Sequence, residues 1–342
     1  MTQLPYAYGG PPLCGSLRAA PEDFFVEEDL GFAPDGAGEH MLVRVEKRGA
    51  NTDWVAQELA RFAGVRPDAV SYAGIKDRHA VTRQTFSVHV PIKREVDWTS
   101  LDHPEFRVLE AARHSRKLKR GALRGNFFRV VLRNAQGDRA VAEATLARVA
   151  RDGVPNYFGE QRFGREGDNV NRALAMLAGR RVQRNERSML LSAARSHLFN
   201  QVLAARVERG DWDRPLEGEV WMLAGTHSIF GPESLSMQLI ERHARGDIEL
   251  TGPLWGEGEL RTSSVVKELE AAIGAAHTAL VAGLAANGLR QERRALCLRP
   301  RNLMAQWLSD ADLEVRFHLN SGSYATVLLR EICDWQTPPK AA

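Results

Sequence analysis

The alternation of apolar and polar side chains changes character along the chain. His40-Met41-Leu42-Val43-Arg44-Val45 and Phe86-Ser87-Val88-His89-Val90 alternate strictly, which predicts half-buried strands. Between them Asn51-Thr52-Asp53 offers an N-cap. Val55, Leu59 and Phe62 recur on one helical face, and Gly64 is a natural stop. Phe127-Phe128-Arg129-Val130-Val131-Leu132 reads as a further strand, followed by a helix over 138–151. The acidic stretch 21–29 reads most simply as a turn leading into a strand; an exposed Phe24 would need another explanation. From Tyr157 the spacing becomes helical, with Leu191, Ala194, Leu198, Val202 and Ala205 on one face of 188–208. Val266, Leu269, Ile273, Leu280 and Leu284 do the same over 263–286. A turn-rich segment at 224–232 and a loop at 252–256 separate these helices. Residues 314–319 alternate again, Ser321-Gly322-Ser323 turns the chain, and a short helix over 324–333 is expected to close it. A strand-rich part interrupted by a helical block predicts an insertion.

Composition narrows the class. At 342 residues the chain has room for about two domains. No apolar run of about 18 residues occurs, so no membrane span is expected. Residues 1–12 lack the basic-then-apolar order of a secretory signal. Three widely spaced cysteines, Cys14, Cys297 and Cys333, read as reduced thiols in the cytosol. Low complexity is confined to the tail 337–340. The net charge of +3, from 46 basic and 43 acidic residues, says little about partners. Its distribution says more. RHSRKLKRGALR (113–124) carries Arg113, Arg116, Lys117, Lys119, Arg120 and Arg124 without an acid, and Arg180, Arg181, Arg184 and Arg187 are accompanied only by Glu186. A polyanion is a plausible partner for such runs; a solvated charged face is the plainer reading.

Common cofactor chemistries find no support. There is no Cys-x-x-Cys or His-x-x-x-His spacing for a metal, no complete dinucleotide or phosphate-loop fingerprint, and no Gly-x-Ser-x-Gly elbow. Two motifs stand out instead. GIKDRHAVTRQ (74–84) sets Asp77 between Lys76 and Arg78, where positive charge favours an ionised carboxylate acting as nucleophile or base; a capped, solvated turn would look the same. NYFGEQRFG (156–164) pairs aromatics with a Gln-Arg, as an RNA-stacking platform or as a packed anchor.

These two motifs, with PEDFFVEEDLGF (21–32), RGNFF (124–128) and SGSYATVLLRE (321–331), resemble in the same order the motifs of the TruD family of tRNA pseudouridine synthases. The likeness runs from Leu17 to Glu331. It implies an α+β fold: a pseudouridine-synthase core with a curved, mainly antiparallel sheet (1–156 and 299–342) and an inserted family-specific α/β domain rich in helix (157–298). It implies that a uridine of tRNA, at position 13, is flipped out and isomerised. The N1–C1′ bond breaks, the base turns, and C5 bonds to C1′, without metal or cofactor. Asp77 matches the catalytic aspartate, as nucleophile. Phe24 and Asn126 match substrate-binding positions, and Tyr324 stands where family members commonly carry Phe. Phe128 is the candidate active-site ring, and Arg18 the candidate cation beside Asp77, with Lys76 competing. The run from Arg113 to Arg124 would meet RNA phosphates. A cytoplasmic, monomeric enzyme is expected. Attack on the sugar, attack on the base and removal of a ribose proton all stay open. A non-catalytic RNA-binding module is the alternative. A methyltransferase would need a glycine-rich loop after an early strand, and none is apparent.

Overall fold

The computed structural model describes residues 4–164 and 167–336. Met1 to Gln3, Arg165, Glu166 and the tail from Thr337 onward lie outside the described residues. The chain divides into two compact units, each built from three segments. The sheet unit comprises Pro12–Leu146, Pro300–Gly322 and Cys333–Ala342; the helical unit comprises Met1–Pro11, Ala147–Arg299 and Ser323–Ile332. Residues 4–11, 147–156, 299 and 323–332, grouped with the strands from the sequence, therefore sit in the helical unit.

The sheet unit is organised on a ten-stranded, mainly antiparallel sheet. Its strands are β1 (Leu13–Leu17), β2 (Phe24–Asp29), β3 (His40–Arg48), β4 (Val70–Tyr72), β5 (Val81–His89), β6 (Phe106–His114) and β7 (Gly125–Gly137), joined by Arg301–Trp307, Leu313–Asn320 and Cys333–Gln336. From one edge the order is Arg301–Trp307, Leu313–Asn320, β7, β2, β5, β3, β6, with β1 on β7 and β4 on β5. Only β2–β5 and β1–Cys333–Gln336 run parallel. Helix α1 (Thr52–Phe62) starts where Asn51 accepts the Asp53 N–H, as its cap position predicts. Its Val55 and Leu59 pack on Val43, Val45, Phe86 and Val88. Side chains alternate across a strand, so register fixes what shares a face. Glu28 lies opposite Asn126, Val26 opposite Phe128, and Phe317 opposite Phe128.

The helical unit contains α3 (Asn169–Leu177), α4 (Arg184–Arg209), α5 (Met237–Ala244), α6 (Ser264–Ala276), α7 (Thr278–Ala286) and α8 (Ala325–Leu329); α2 (Arg139–Asp152) precedes them in the chain. It also holds a four-stranded sheet, Ile229–Phe230, Trp221–Leu223, Ile248–Leu254 and Glu292–Ala295 in that order. Three sequence expectations are corrected here. The expected loop 252–256 largely continues the strand Ile248–Leu254, where Gly252 and Pro253 pair with Arg294 and Arg293. The helix expected over 263–286 is two helices bent by 92° at His277. The closing helix ends at Leu329, and Cys333 starts a strand on β1 rather than ending a helix. Apolar runs this short do not distinguish a buried strand from a helix. Among the described residues no single helix is long and apolar enough to cross a membrane.

Gly125 shows how closely β7 meets its neighbour. A Cβ added there would overlap the carbonyl oxygen of Leu319. Gly125→Ala is expected to part the two strands and to lower stability by about 1–3 kcal/mol. An unchanged urea midpoint would refute this.

Candidate active site

Asp77 lies in the loop between β4 and β5, and backbone contacts fix that loop from several sides. The buried Gln84 of β5 donates through Nε2 to the carbonyl of Gly74. Thr52, the first residue of α1, donates its hydroxyl to Gln84 Oε1 at 3.2 Å and accepts the Lys76 N–H at 3.1 Å. Gly49 N–H donates to the carbonyl of Ala80 at 3.3 Å. The spacing Gly-x-Lys-Asp to Gln is thus a loop returned to the strand that follows it, closed by the Gln84 amide.

The carboxylate is held at both oxygens. Oδ2 pairs with Arg18 Nη2 at 2.5 Å, and Oδ1 accepts the His79 N–H at 3.1 Å. The Asp77 side chain keeps 30% of its surface exposed. Arg18 follows directly on β1 in a left-handed conformation, φ 62°, that a non-glycine residue adopts only at a cost. Its guanidinium lies 4.2 Å from the centroid of the Phe24 ring. Phe24 itself is buried, edge-on to Phe128 at 6.3 Å, and Phe128 stacks on Phe317 at 5.3 Å. Phe24 is therefore a buried ring under Arg18, at the start of the strand that the turn of residues 21–23 leads into.

Neither cation next to Asp77 in sequence pairs with it. Arg78 donates to the Gly49 carbonyl at 3.2 Å. Lys76 turns inward, 3.0 Å from Glu28 Oε1 and 2.8 Å from Asn126 Oδ1, with Glu28 Oε2 accepting the Thr85 N–H at 3.0 Å. Lysine only donates, so its contact fixes the Asn126 amide: Oδ1 is committed to Lys76, and the NH₂ is what Asn126 offers. Beside Glu28 opens a cleft of about 670 Å³, lined by Leu42, Arg44, Thr85 and Arg124 among others. That volume is within the usual range for small-molecule pockets.

The basic run is largely committed within the fold. Arg113 donates to the carbonyls of Val90 at 2.6 Å and Arg94 at 2.9 Å. Arg120 covers Tyr72 and bonds its hydroxyl at 2.8 Å, and Arg124 pairs with Asp29 at 2.7 Å. Lys117 makes a long contact, 3.4 Å, to the Asp68 carbonyl. Arg116 and Lys119 are exposed and have no side-chain partner among the described residues. In the helical unit Tyr157, Phe158 and Phe163 are buried, so NYFGEQRFG packs that unit and is not an open stacking platform. Its Arg162 donates to Ser192 at 3.0 Å and to the hydroxyl of the half-buried Tyr324 at 3.1 Å. Among the described residues no group of three or more His, Cys, Asp or Glu side chains is placed to hold a metal ion.

Lys47 escaped the sequence reading, although it falls in phase with Val43 and Val45 on the buried face of β3. It is fully buried, and its Nζ donates to the carbonyls of Ala50 at 2.8 Å and of Asp77 itself at 3.0 Å. Burial pulls its ammonium from 10.5 down to about 8, the Asp77 carboxylate opposing the fall. Below pH 8 the group is charged in the folded and unfolded chain alike, and its burial cost is felt in full. Between pH 8 and 10.5 the folded protein has released a proton that the unfolded chain still holds, so the contribution to stability rises with pH. Relative to Lys47→Met, the wild type is expected to gain up to about 3 kcal/mol across that window in paired urea titrations. A difference independent of pH would show an unperturbed lysine.

A half-exposed carboxylate, oriented by a guanidinium and a backbone N–H, is equipped for nucleophilic or general-base chemistry. Comparison with known proteins gives that equipment a context. The family model described as tRNA pseudouridine synthase D (TruD) matches residues 2–172 and 165–332. A tRNA pseudouridine synthase D of Xanthomonas axonopodis pv. citri is 50% identical over 97% of this chain and 94% of its own length. Those of Aeromonas salmonicida and Methylococcus capsulatus are 48% and 46% identical, over the same shares. A crystal structure from Methanosarcina mazei, assigned as a tRNA pseudouridine synthase D, shares the fold with a TM-score of 0.75 at 23% identity, over 96% of this chain and 95% of that one. The α+β architecture expected from the motifs is thus shared with a solved structure, and the chain belongs to the TruD family of tRNA pseudouridine synthases.

Proposed function

We propose that this chain isomerises a uridine of tRNA, at position 13, to pseudouridine, with Asp77 as the reacting carboxylate. The observation that carries the reading is the Asp77–Arg18 pair at 2.5 Å, set within a motif of that family. In the reaction the N1–C1′ bond breaks, the base turns, C5 bonds to C1′ and the C5 proton leaves as N1 gains one. Product and substrate have the same formula, so neither oxidant nor group donor enters, and the reaction runs with RNA and buffer alone.

The base reaches Asp77 by leaving its stack, at a cost of a few kcal/mol. Arg18 orients the carboxylate from the Phe24 side. Asn126, its oxygen engaged by Lys76, directs an amide donor at an acceptor of the substrate, such as a uracil carbonyl. Phe24 and Phe128 back the site as a packed wall rather than as free stacking faces. The sheet unit is the catalytic core in this reading. The helical unit is an accessory RNA-binding part, in which Tyr324 supplies a ring contact. Arg116, Lys117 and Lys119 meet phosphates, while Arg113, Arg120 and Arg124 keep structural duties. The enzyme acts as a monomer in the cytoplasm, where tRNA resides and its three cysteines, all free here, stay reduced.

The test is tritium release from tRNA labelled at uridine C5, without added cofactor. Release is expected from the wild type and none from Asp77→Ala. Arg18→Ala should retain tRNA binding and lose about a hundredfold in kcat, the usual cost of a misplaced reacting group. Release by Asp77→Ala would move the reacting carboxylate elsewhere, and binding without any release would favour a non-catalytic RNA-binding protein.

A further inference from the structure

The second basic run of the sequence is not used by the site above. Arg180 and Arg181 lie between α3 and α4, while Arg184 and Arg187 are in the first turns of α4. We propose that this arginine turn is a second binding surface for RNA backbone phosphates, carried by the helical unit and separate from Arg116 to Lys119. The proposal rests on RNA being the substrate and concerns where its backbone is held.

The contrast with the first run carries the argument. There, Arg113, Arg120 and Arg124 are committed to carbonyls, a ring and a carboxylate. Here all four guanidinium side chains are exposed. Arg180, Arg181 and Arg184 have no side-chain hydrogen bond or ion pair among the described residues. Arg187 reaches only the neutral Asn287, through Oδ1. The one acid of the run, Glu186, is taken by Arg172. Four positive charges thus stand together without a carboxylate of their own.

Their position sharpens the point. Cations at the start of a helix oppose its dipole, so Arg184 and Arg187 are placed where they do the 26-residue α4 no service. Gln183, the N-cap residue, makes no side-chain capping bond. An anion at this end reverses both defects, because it meets the guanidinium forks and the positive pole of the helix together. Phosphodiesters fit such forks in a bidentate fashion, and a strand of them supplies several at once.

The experiment measures equilibrium binding of a tRNA transcript by the full chain over a series of KCl concentrations. It compares the parent with Arg180→Gln/Arg181→Gln/Arg184→Gln. Each lost phosphate contact lowers the slope of log affinity against log salt by about 0.7–0.9, so a fall of about 2 is expected. KM should rise at least about tenfold at moderate salt, with kcat at saturating tRNA and the thermal midpoint unchanged. The triple lysine variant should keep the parent slope. An unchanged slope in the glutamine variant, a loss of kcat at unchanged KM, or a slope lost equally with lysine would each overturn the proposal. If the parent binds tRNA but forms no pseudouridine, the catalytic reading fails while the salt series still decides this one.

Discussion

The direction of the side chains around the Asp77 loop rests on one buried ion pair. Lys76 and Glu28 meet at 3.0 Å with 7% and 1% of their side chains exposed. Removing two charges from water costs several kcal/mol for each, and their attraction offsets this only when the remaining hydrogen-bonding capacity is used. Here part of it is used: Lys76 also binds Asn126 and Glu28 Oε2 accepts the Thr85 N–H, while Glu28 Oε1 has only its ion-pair contact with Lys76. An apolar pair of similar volume could hold the loop as firmly. It would not orient the Asn126 amide, nor ensure that Lys76 points away from the carboxylate beside it. The pair gives direction more than stability.

The same arithmetic recurs in the helical unit. Arg206 pairs with Glu219 at 2.6 Å and Arg293 with Glu270 at 2.7 Å, all four side chains 1% exposed. Among the described residues the basic side chains therefore range from those consumed in buried networks or on carbonyls to those left in water. A net charge of +3 averages over both. Only partners, residue by residue, distinguish the arginines that hold the fold from those free to meet an external anion.

How much of this was legible in the sequence follows from the range of each interaction. Helix α1 was readable because Asn51, the apolar face and Gly64 all act within one short stretch of chain. The expected strands at 40–45, 86–90, 127–132 and 314–319 all lie within or across observed strands, since alternation is a local signal. What escaped is non-local. The charge pattern set Lys76 and Arg78 beside Asp77, and neither pairs with it; Arg18 was named only through the family resemblance, because its contact depends on β1 ending beside the loop in the folded sheet. Lys47 left one trace, a charge on the apolar phase of β3, which is the pattern to look for when a buried cation serves a site. The strand at Cys333 was hidden because its partner, β1, begins at Leu13.

That last pairing bears on how the protein is made. Chain emerges from the ribosome N-terminus first, and domains tend to fold as they appear. β1 and β7 precede the main segment of the helical unit, yet their remaining partners, Cys333–Gln336 and Leu313–Asn320, follow it. Until then the nascent sheet carries two unpaired edges, and Phe128 lacks Phe317 to stack on. The unit bearing Asp77 is completed only once these strands have emerged, so a chain interrupted before them presents open strand edges to chaperones and proteases.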